Sequence, residues 1–360
     1  MDEAKNGIAT ALSETHRSNG AAPGVWFGCE LPDDFGDWKR EYRYLHESVA
    51  LLDKNYRAYL KFTGPDRVRY LNAILTNDIK GLKENHANVS LFLNPQGHIQ
   101  AEIETHALAD QLFCVSYSMI REHLIPAMDK YIIMDDVTLE DQTAEFSTLA
   151  LEGPKAAAAV SELTGLDLNA MEELETRNIS IKGIECWMAR RTPGRHASAE
   201  FLGHTKNSLA LWGILEEAAS KYGAGAAGYK ALNSVRLEQG IPWFGYDFGE
   251  KQIPHEAGLQ DSHISYTKGC YTGQEIVERV RSRGQVNRVR VSLQFEGEAP
   301  QVNTPLMSDG KEVGYVTRTG FSPSIGANIG MGYARREKAS ADCKVETRTG
   351  RAMVITTPLL

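Results

Sequence analysis

The sequence predicts an α+β protein that ends in an all-β module, and three observations carry that reading. A chain of 360 residues is long enough for two or three domains, each with a core of its own. A strand–Gly-Pro–helix pattern occurs twice, first over 59–63 with Gly64-Pro65 and then over 148–152 with Gly153-Pro154. From Arg288 onward, short strands and turns replace helices, the pattern of a small barrel.

Taken in order, residues 1 to 24 read as a frayed tail and a loop rich in Gly, Ala and Pro. Trp38, Tyr42, Leu45 and Val49 recur at three and four residues, which predicts a helix over 35–52. After the strand at 59–63, Pro65 suits a first helical position, and Thr63 with Asp66 has capping-box spacing. Val68, Leu71, Ile74 and Leu75 form the stripe of the helix that follows, which stops at Thr76-Asn77-Asp78. Strands at 89–93 and 99–108 flank Asn94-Pro95-Gln96-Gly97, a hairpin turn by composition. A strand at 112–116, a helix at 121–131 and a strand from 137 to 140 lead to the second unit, whose helix spans 156–163. Two such units suggest related halves, although Gly-Pro before a helix is common. Helices at 208–222 and 229–239 come next, the second stopped by Gly240 and Pro242. Residues 288–295 alternate polar and apolar with period two, and strands at 312–317, 330–334, 343–347 and 352–356 complete the β module.

Composition narrows the function classes. Hydrophobic residues at 42% and charged residues at 24% exclude a mainly disordered chain. A net charge of -8 and a pI near 5.8 argue against a nucleic-acid coat, which needs net basic surface. No run reaches the roughly 18 apolar residues of a membrane helix, and the N-terminal segment lacks the apolar stretch of a secretory signal. The five cysteines (Cys29, Cys114, Cys186, Cys270, Cys343) lie far apart, so neither a disulfide framework nor a Cys-x-x-Cys metal site is present. The ten histidines are scattered as well. These features predict a soluble, cytoplasmic chain that holds no metal by itself.

The most informative segment is Lys268-Gly269-Cys270-Tyr271-Thr272-Gly273-Gln274-Glu275. Thr272 and Glu275 have capping-box spacing, so Thr272 reads as the N-cap of a helix with Ile276, Val277 and Val280 on its apolar stripe. Arg279, Arg281 and Arg283 crowd its C-terminal end, and Gly284 suits the position after it. Cys270 would then stand two residues before the cap, where free N–H groups and Lys268 favour thiolate. The thiol is a candidate nucleophile or redox group; a structural cysteine in a tight turn is the alternative. The basic run from Lys268 to Arg290 admits an acidic ligand tail, an acidic partner or RNA, but helix-end arginines and a strand's solvent face account for most of it.

KGCYTGQE resembles the signature of the YgfZ family, folate-binding proteins related to the glycine cleavage system T-protein (aminomethyltransferase). VRLEQGIP at 235–242, IPHEAGL at 253–259, LTNDI at 75–79, the paired Gly-Pro segments, Gly314-Tyr315-Val316-Thr317, Ser322-Pro323 and Gly330-Met331-Gly332 extend the match from about residue 30 to the end. The resemblance implies a three-domain aminomethyltransferase-like fold, with two α+β domains and a C-terminal β-barrel around a channel for tetrahydrofolate or another reduced folate. The implied boundaries are 1–55 with 146–255, 56–145 with 256–287, and 288–360. It also implies Cys270 and Lys268 as the reactive pair. Arg236 is the implied folate contact (with an ion pair to Glu238 or Asp247 as the alternative), and Tyr271, Glu256, Glu102 and Glu200 are further cofactor-binding candidates. Two departures from the T-protein pattern stand out. Ala101 replaces the first acid of the hairpin run and leaves Glu102 at the second, while Pro193-Gly194-Arg195-His196-Ala197 lacks the folate-binding glutamate, for which Glu200 is a loose substitute. These departures rank a folate-dependent protein supporting iron–sulfur enzyme assembly or repair first, with iron–sulfur proteins or their assembly factors as partners. A folate-dependent aminomethyl or methyl transferase ranks second, and a non-catalytic folate carrier or tRNA-modification partner third.

Overall fold

The computed structural model describes residues 7–284 and 286–359, with the side chain of Arg283 outside the described set. It divides into two compact units: Met1–Asn72, Ile79–Val89 and Ile103–Leu232 form the first, and Ala73–Asp78, Ser90–Glu102 and Asn233–Leu360 the second.

The first unit holds an antiparallel sheet in the order Thr176–Ile181, Ile184–Arg191, Ser198–His204, Phe146–Glu152, Ala50–Asp53. One face is covered by the helices Ala156–Thr164 and Ser208–Ser220, with Leu51, Leu149, Leu151, Val160, Phe201, Trp212 and Leu215 in the core between them. On the other face, Leu202 meets Tyr59, Phe113 and Val115 of a second sheet. That sheet runs Ala87–Leu93, Ile99–Ala107, Leu112–Tyr117, Arg57–Thr63, Thr138–Asp141. The strand Ser198–His204 is consequently buried on both faces as far as Gly203, and its even and odd positions serve different layers.

Both strand–Gly-Pro–helix units form as expected. Gly64 and Gly153 have φ of +94° and +124°, and a Cβ on either would lie 2.2 Å from the Asp136 carbonyl oxygen or 2.6 Å from that of Ser48. Glycine is needed for the turn and for the close approach alike. The capping box does not form: the Asp66 carboxylate accepts from the backbone N–H of Asp136 instead. The helix expected over 35–52 is shorter, Trp38–Glu47, capped by the Asp37 carboxylate on the N–H groups of Lys39 and Arg40. Ala50–Asp53 pairs with Phe146–Glu152 as a strand, and that sheet pairing overrides the helical spacing of Val49. The frayed tail is also corrected from residue 7 onward; residues 1–6 lie outside the described set. Ile8–Ala9, Cys29–Asp34 and Ala22–Trp26 form a three-stranded sheet, and the helix Ser13–Ser18 carries His16, whose Nε2 hydrogen-bonds buried Asp53 at 2.9 Å.

In the second unit, Arg288–Phe295, Ala327–Arg335, Lys311–Ser322, Pro305–Ser308, Lys344–Thr347 and Gly350–Ile355 close into a barrel. Val291, Leu293 and Phe295 point inward with Leu306, Val316, Val345 and Val354. The period-two reading is right for these positions, but the outer face is covered in part as well: Leu237 of the helix Tyr229–Gln239 packs on Ile329 and Met331.

Candidate functional site

The segment around Cys270 is assembled on the hairpin turn of the second unit. The Asn94 side chain accepts from the N–H groups of Gln96 and His98, and the Gly97 N–H donates to the Asn94 carbonyl. Gly97 (φ +78°) leaves room for Ile276, whose Cβ would be 2.9 Å from a Cβ at that position. Gly273 (φ +84°) faces the same turn, and a Cβ there would stand 2.7 Å from the Asn94 carbonyl oxygen. The helix Gln274–Arg283 is therefore seated on the turn by its glycine cap.

Gly273 is the N-cap in place of Thr272. The Thr272 N–H reaches the Ala73 carbonyl, and the Glu275 side chain stays exposed beside Arg279. Backbone packing against Asn94 has decided the cap over side-chain chemistry, which leaves Cys270 three residues ahead of it. Cys270 is exposed, whereas Cys29, Cys114 and Cys186 are buried and Cys343 is intermediate.

Lys268 acts as an anchor. Its ammonium donates to the carbonyl oxygens of Leu75 and Asn77, and it lies 5.2 Å from the centre of the Tyr271 ring. Between those carbonyls, Thr76 accepts through Oγ1 from the Leu91 N–H at 2.8 Å and donates to the His263 carbonyl at 2.6 Å. The LTND segment thereby ties the Cys270 loop and the loop of His263 to the strand Ala87–Leu93. Tyr271 is buried, and its hydroxyl has no hydrogen-bond partner among the described residues.

Strand alternation separates the two hairpin positions. Ala101 is fully buried, while Glu102 lies on the opposite, partly open face, its side chain 21% exposed. The Glu102 carboxylate accepts from His263 Nε2 at 3.0 Å, and His263 Nδ1 is 2.7 Å from the hydroxyl of exposed Ser262. Neither His263 nor Ser262 was expected from the sequence, because no motif marks them and their partner is 161 positions away in the case of His263.

The remaining candidates are held elsewhere. Arg236 is buried on the barrel side of its helix, where it donates to Asp247, to Asn233 and to the Ile241 carbonyl and stacks on Trp243. Asp247 in turn accepts from the Trp243 N–H and the Thr317 hydroxyl. The ion-pair alternative, with Asp247 as the partner, is what forms; only Nη2 is without a partner among the described residues. Burial pulls the Arg236 guanidinium below its ordinary range, with Asp247 opposing. Glu256 sits in the short helix Pro254–Ala257 and accepts from the Ile253 N–H; burial raises its carboxyl.

Glu200 belongs to the first unit, in a buried charge network that sequence reasoning missed. It accepts from Lys54 at 3.0 Å and from Arg57 at 2.8 Å, and Arg191 approaches to 3.7 Å. Lys54 also pairs with Glu152, and Glu104 with Arg191 and with His106. A small cavity opens against Arg57, Glu104, His106 and Glu200, backed by Phe113 and Trp187. Burial alone would raise the Glu200 carboxyl, but Arg191, Arg57 and Lys54 outweigh it and hold it at about 2. Glu104 is likewise held well below the carboxylate range, its burial outweighed by Arg191 and His106.

The basic run is largely engaged. Arg279 and Arg281 pair with Glu275 and Glu278, Arg288 approaches Glu312, and Arg290 donates to the carbonyls of Ala257 and Gly240. Arg283's side chain lies outside the described residues. No group of His, Cys, Asp and Glu suited to a metal ion occurs among the described residues, and no helix is long and apolar enough to cross a membrane.

Antiparallel α+β sheets followed by a closed six-stranded barrel define the aminomethyltransferase-like class of folds. The chain belongs to the glycine cleavage T-protein family: residues 12–263 match the GCVT N-terminal domain and residues 288–360 the glycine cleavage T-protein C-terminal barrel domain. It is 26% identical over 343 residues to an aminomethyltransferase of Koribacter versatilis, covering 92% of this chain and 90% of that one. An aminomethyltransferase of Rubrobacter xylanophilus is 27% identical over 329 residues, covering 91% and 87%. In fold, the chain is similar to the crystal structure of glycine cleavage system aminomethyltransferase T from Bartonella henselae, with a TM-score of 0.87 and 21% identity over 98% of each chain.

Proposed function

We propose that the protein binds a reduced folate and takes part in one-carbon transfer of the aminomethyl class. The observation that carries this reading is the open-faced Glu102 carboxylate on the hairpin, bonded to His263, an acid–base pair in the run where Ala101 has removed the other acid. Family membership and the aminomethyltransferase relatives support it, which favours the transferase reading over the iron–sulfur role that the KGCYTGQE signature and the two departures rank first. A folate fits two features of the second unit: the buried Arg236 Nη2 and the Tyr271 hydroxyl both lack partners among the described residues. Arg236 would donate to a carbonyl or carboxylate oxygen of the ligand, and Tyr271 would give or accept one hydrogen bond. Bound tetrahydrofolate would supply the nitrogen that accepts the one-carbon unit. Glu102 and His263 would hold and move a proton near it.

Thermal unfolding with and without tetrahydrofolate tests the reading, since a ligand at 100 times its Kd stabilises by about 2.7 kcal/mol. No rise in Tm, with no heat of binding, would sink it. Turnover is a separate question: with Ala101 in the hairpin, transfer from an aminomethyl-loaded carrier protein should run about 10²- to 10⁴-fold below that of a T-protein with both acids.

A second reading keeps the YgfZ-type role in iron–sulfur enzyme maintenance, with Cys270 as the reactive group. One observation favours it: Cys270 is exposed on an anchored turn while three of the other four thiols are buried. Folate binding together with loss of biological function in Cys270→Ser would select this reading. Full function of that variant would remove it.

A further inference from the structure

The hydrogen bonds around His263 fix the positions of its protons. A carboxylate only accepts, so the 3.0 Å contact to Glu102 places a hydrogen on Nε2. In the neutral ring Nδ1 then carries a lone pair and accepts the Ser262 hydroxyl at 2.7 Å; in the charged ring Nδ1–H donates to Ser262 Oγ. The chain carboxylate–imidazole–hydroxyl therefore exists in two protonation states that keep the same heavy-atom geometry. It is sheltered at one end and open at the other: the His263 side chain is 12% exposed and Ser262 is exposed. Its backbone is pinned through the Thr76 hydroxyl on the His263 carbonyl and through the His263 N–H on the carbonyl of Leu259.

We infer that Glu102, His263 and Ser262 form a proton relay, with His263 the acid–base group and Ser262 Oγ its outlet, which exchanges a proton when a reduced folate binds. The inference rests on the folate reading above and deepens it. The step is proton transfer alone: an N–H bond forms at Nδ1 as the O–H bond of Ser262 is given up, and Ser262 regains a proton from the ligand or from water. Glu102 is the charged group bonded to the ring. Asp261 and Lys268 flank it along the loop, and Asp78 ends the segment that holds its carbonyl.

Calorimetric titration of the full chain with tetrahydrofolate, in phosphate and in Bis-Tris near pH 6.5, reads the proton directly. Wild-type binding that moves a proton through the relay should have an enthalpy that differs between the buffers, because the buffer supplies or takes up that proton. His263→Gln should bind with an enthalpy independent of buffer. Glu102→Gln, which retains an oxygen acceptor for Nε2 but no charge, should change the size of the exchange without abolishing it, because the imidazolium has lost its carboxylate. Exchange that persists in His263→Gln, or a buffer-independent wild-type enthalpy, would overturn the relay and leave the folate reading standing. Absence of any binding would overturn both.

Discussion

His263 donates through Nε2 to the carboxylate of Glu102 at 3.0 Å, across 161 positions of sequence. The pair unites a hairpin strand and a loop that otherwise share no local signal, and it gives the site an ionisable group that its apolar neighbour Ala101 cannot supply.

Cys270 should be the first of the five thiols to be alkylated near pH 7.5. Burial raises Cys29 to about 11 and Cys114 and Cys186 to about 12, so little thiolate exists at those sites. Iodoacetamide labelling followed by peptide mapping checks the order. A buried cysteine reacting ahead of Cys270 would refute it.

Stability should fall in acid because of Glu200 and Glu104. Both folded-state carboxyls are depressed, so their contribution is fully present above the unfolded value of about 4.3 and is lost as pH falls toward about 2 for Glu200. Urea midpoints should drop steeply between about pH 5 and 2. Glu200→Gln leaves Lys54 and Arg57 without that carboxylate, should cost about 3–5 kcal/mol at neutral pH, and should flatten the acid slope. An unchanged slope in the variant would count against this account.

Arg236→Ala should unfold more easily, by about 3–5 kcal/mol, because it strands Asp247 inside the protein. Loss of folate binding in that variant alone would therefore be ambiguous, because the same side chain holds the ion pair to Asp247. Denaturation of Arg236→Ala beside Arg236→Lys checks the point: lysine should recover part of the loss through its charge.

Gly273→Ala should cost about 1–3 kcal/mol, through left-handed backbone strain and a Cβ driven to 2.7 Å from the Asn94 carbonyl oxygen. It should also change the alkylation rate of Cys270, whose loop leads into that cap. Wild-type stability in the variant would mean the turn can yield.

Local chemistry was what the sequence made legible. The Asn94-Pro95-Gln96-Gly97 turn and both Gly-Pro turns form because their residues dictate the backbone within four positions. Thr272 shows the limit, since its spacing suits a cap but Gly273 fits against Asn94 and wins. The strands from Thr176 to His204 escaped notice because Glu200 sits in a buried sheet position and Arg191 in a half-buried one, where single-sequence patterns expect apolar residues. Pro23, Gly24 and Pro32 similarly disguised a paired N-terminal sheet as loop. At the site, Cys270, Lys268 and Glu102 could be named one by one, but their arrangement depends on Thr76 and His263, joined only by long-range contacts.

Lys268 donates to the main-chain oxygens of Leu75 and Asn77, bonds that call for no particular side chain at either position. The anchor is therefore indifferent to which residues stand at 75 and 77, provided the backbone keeps its path. The side chains at 75 and 77 can drift over evolutionary time without a matching change at 268, so paired-substitution statistics would be blind to the contact, while Thr76 is held by the bonds of its own hydroxyl. A proline placed there, which alters the path and not merely the side chain, is the change that would release the Cys270 loop.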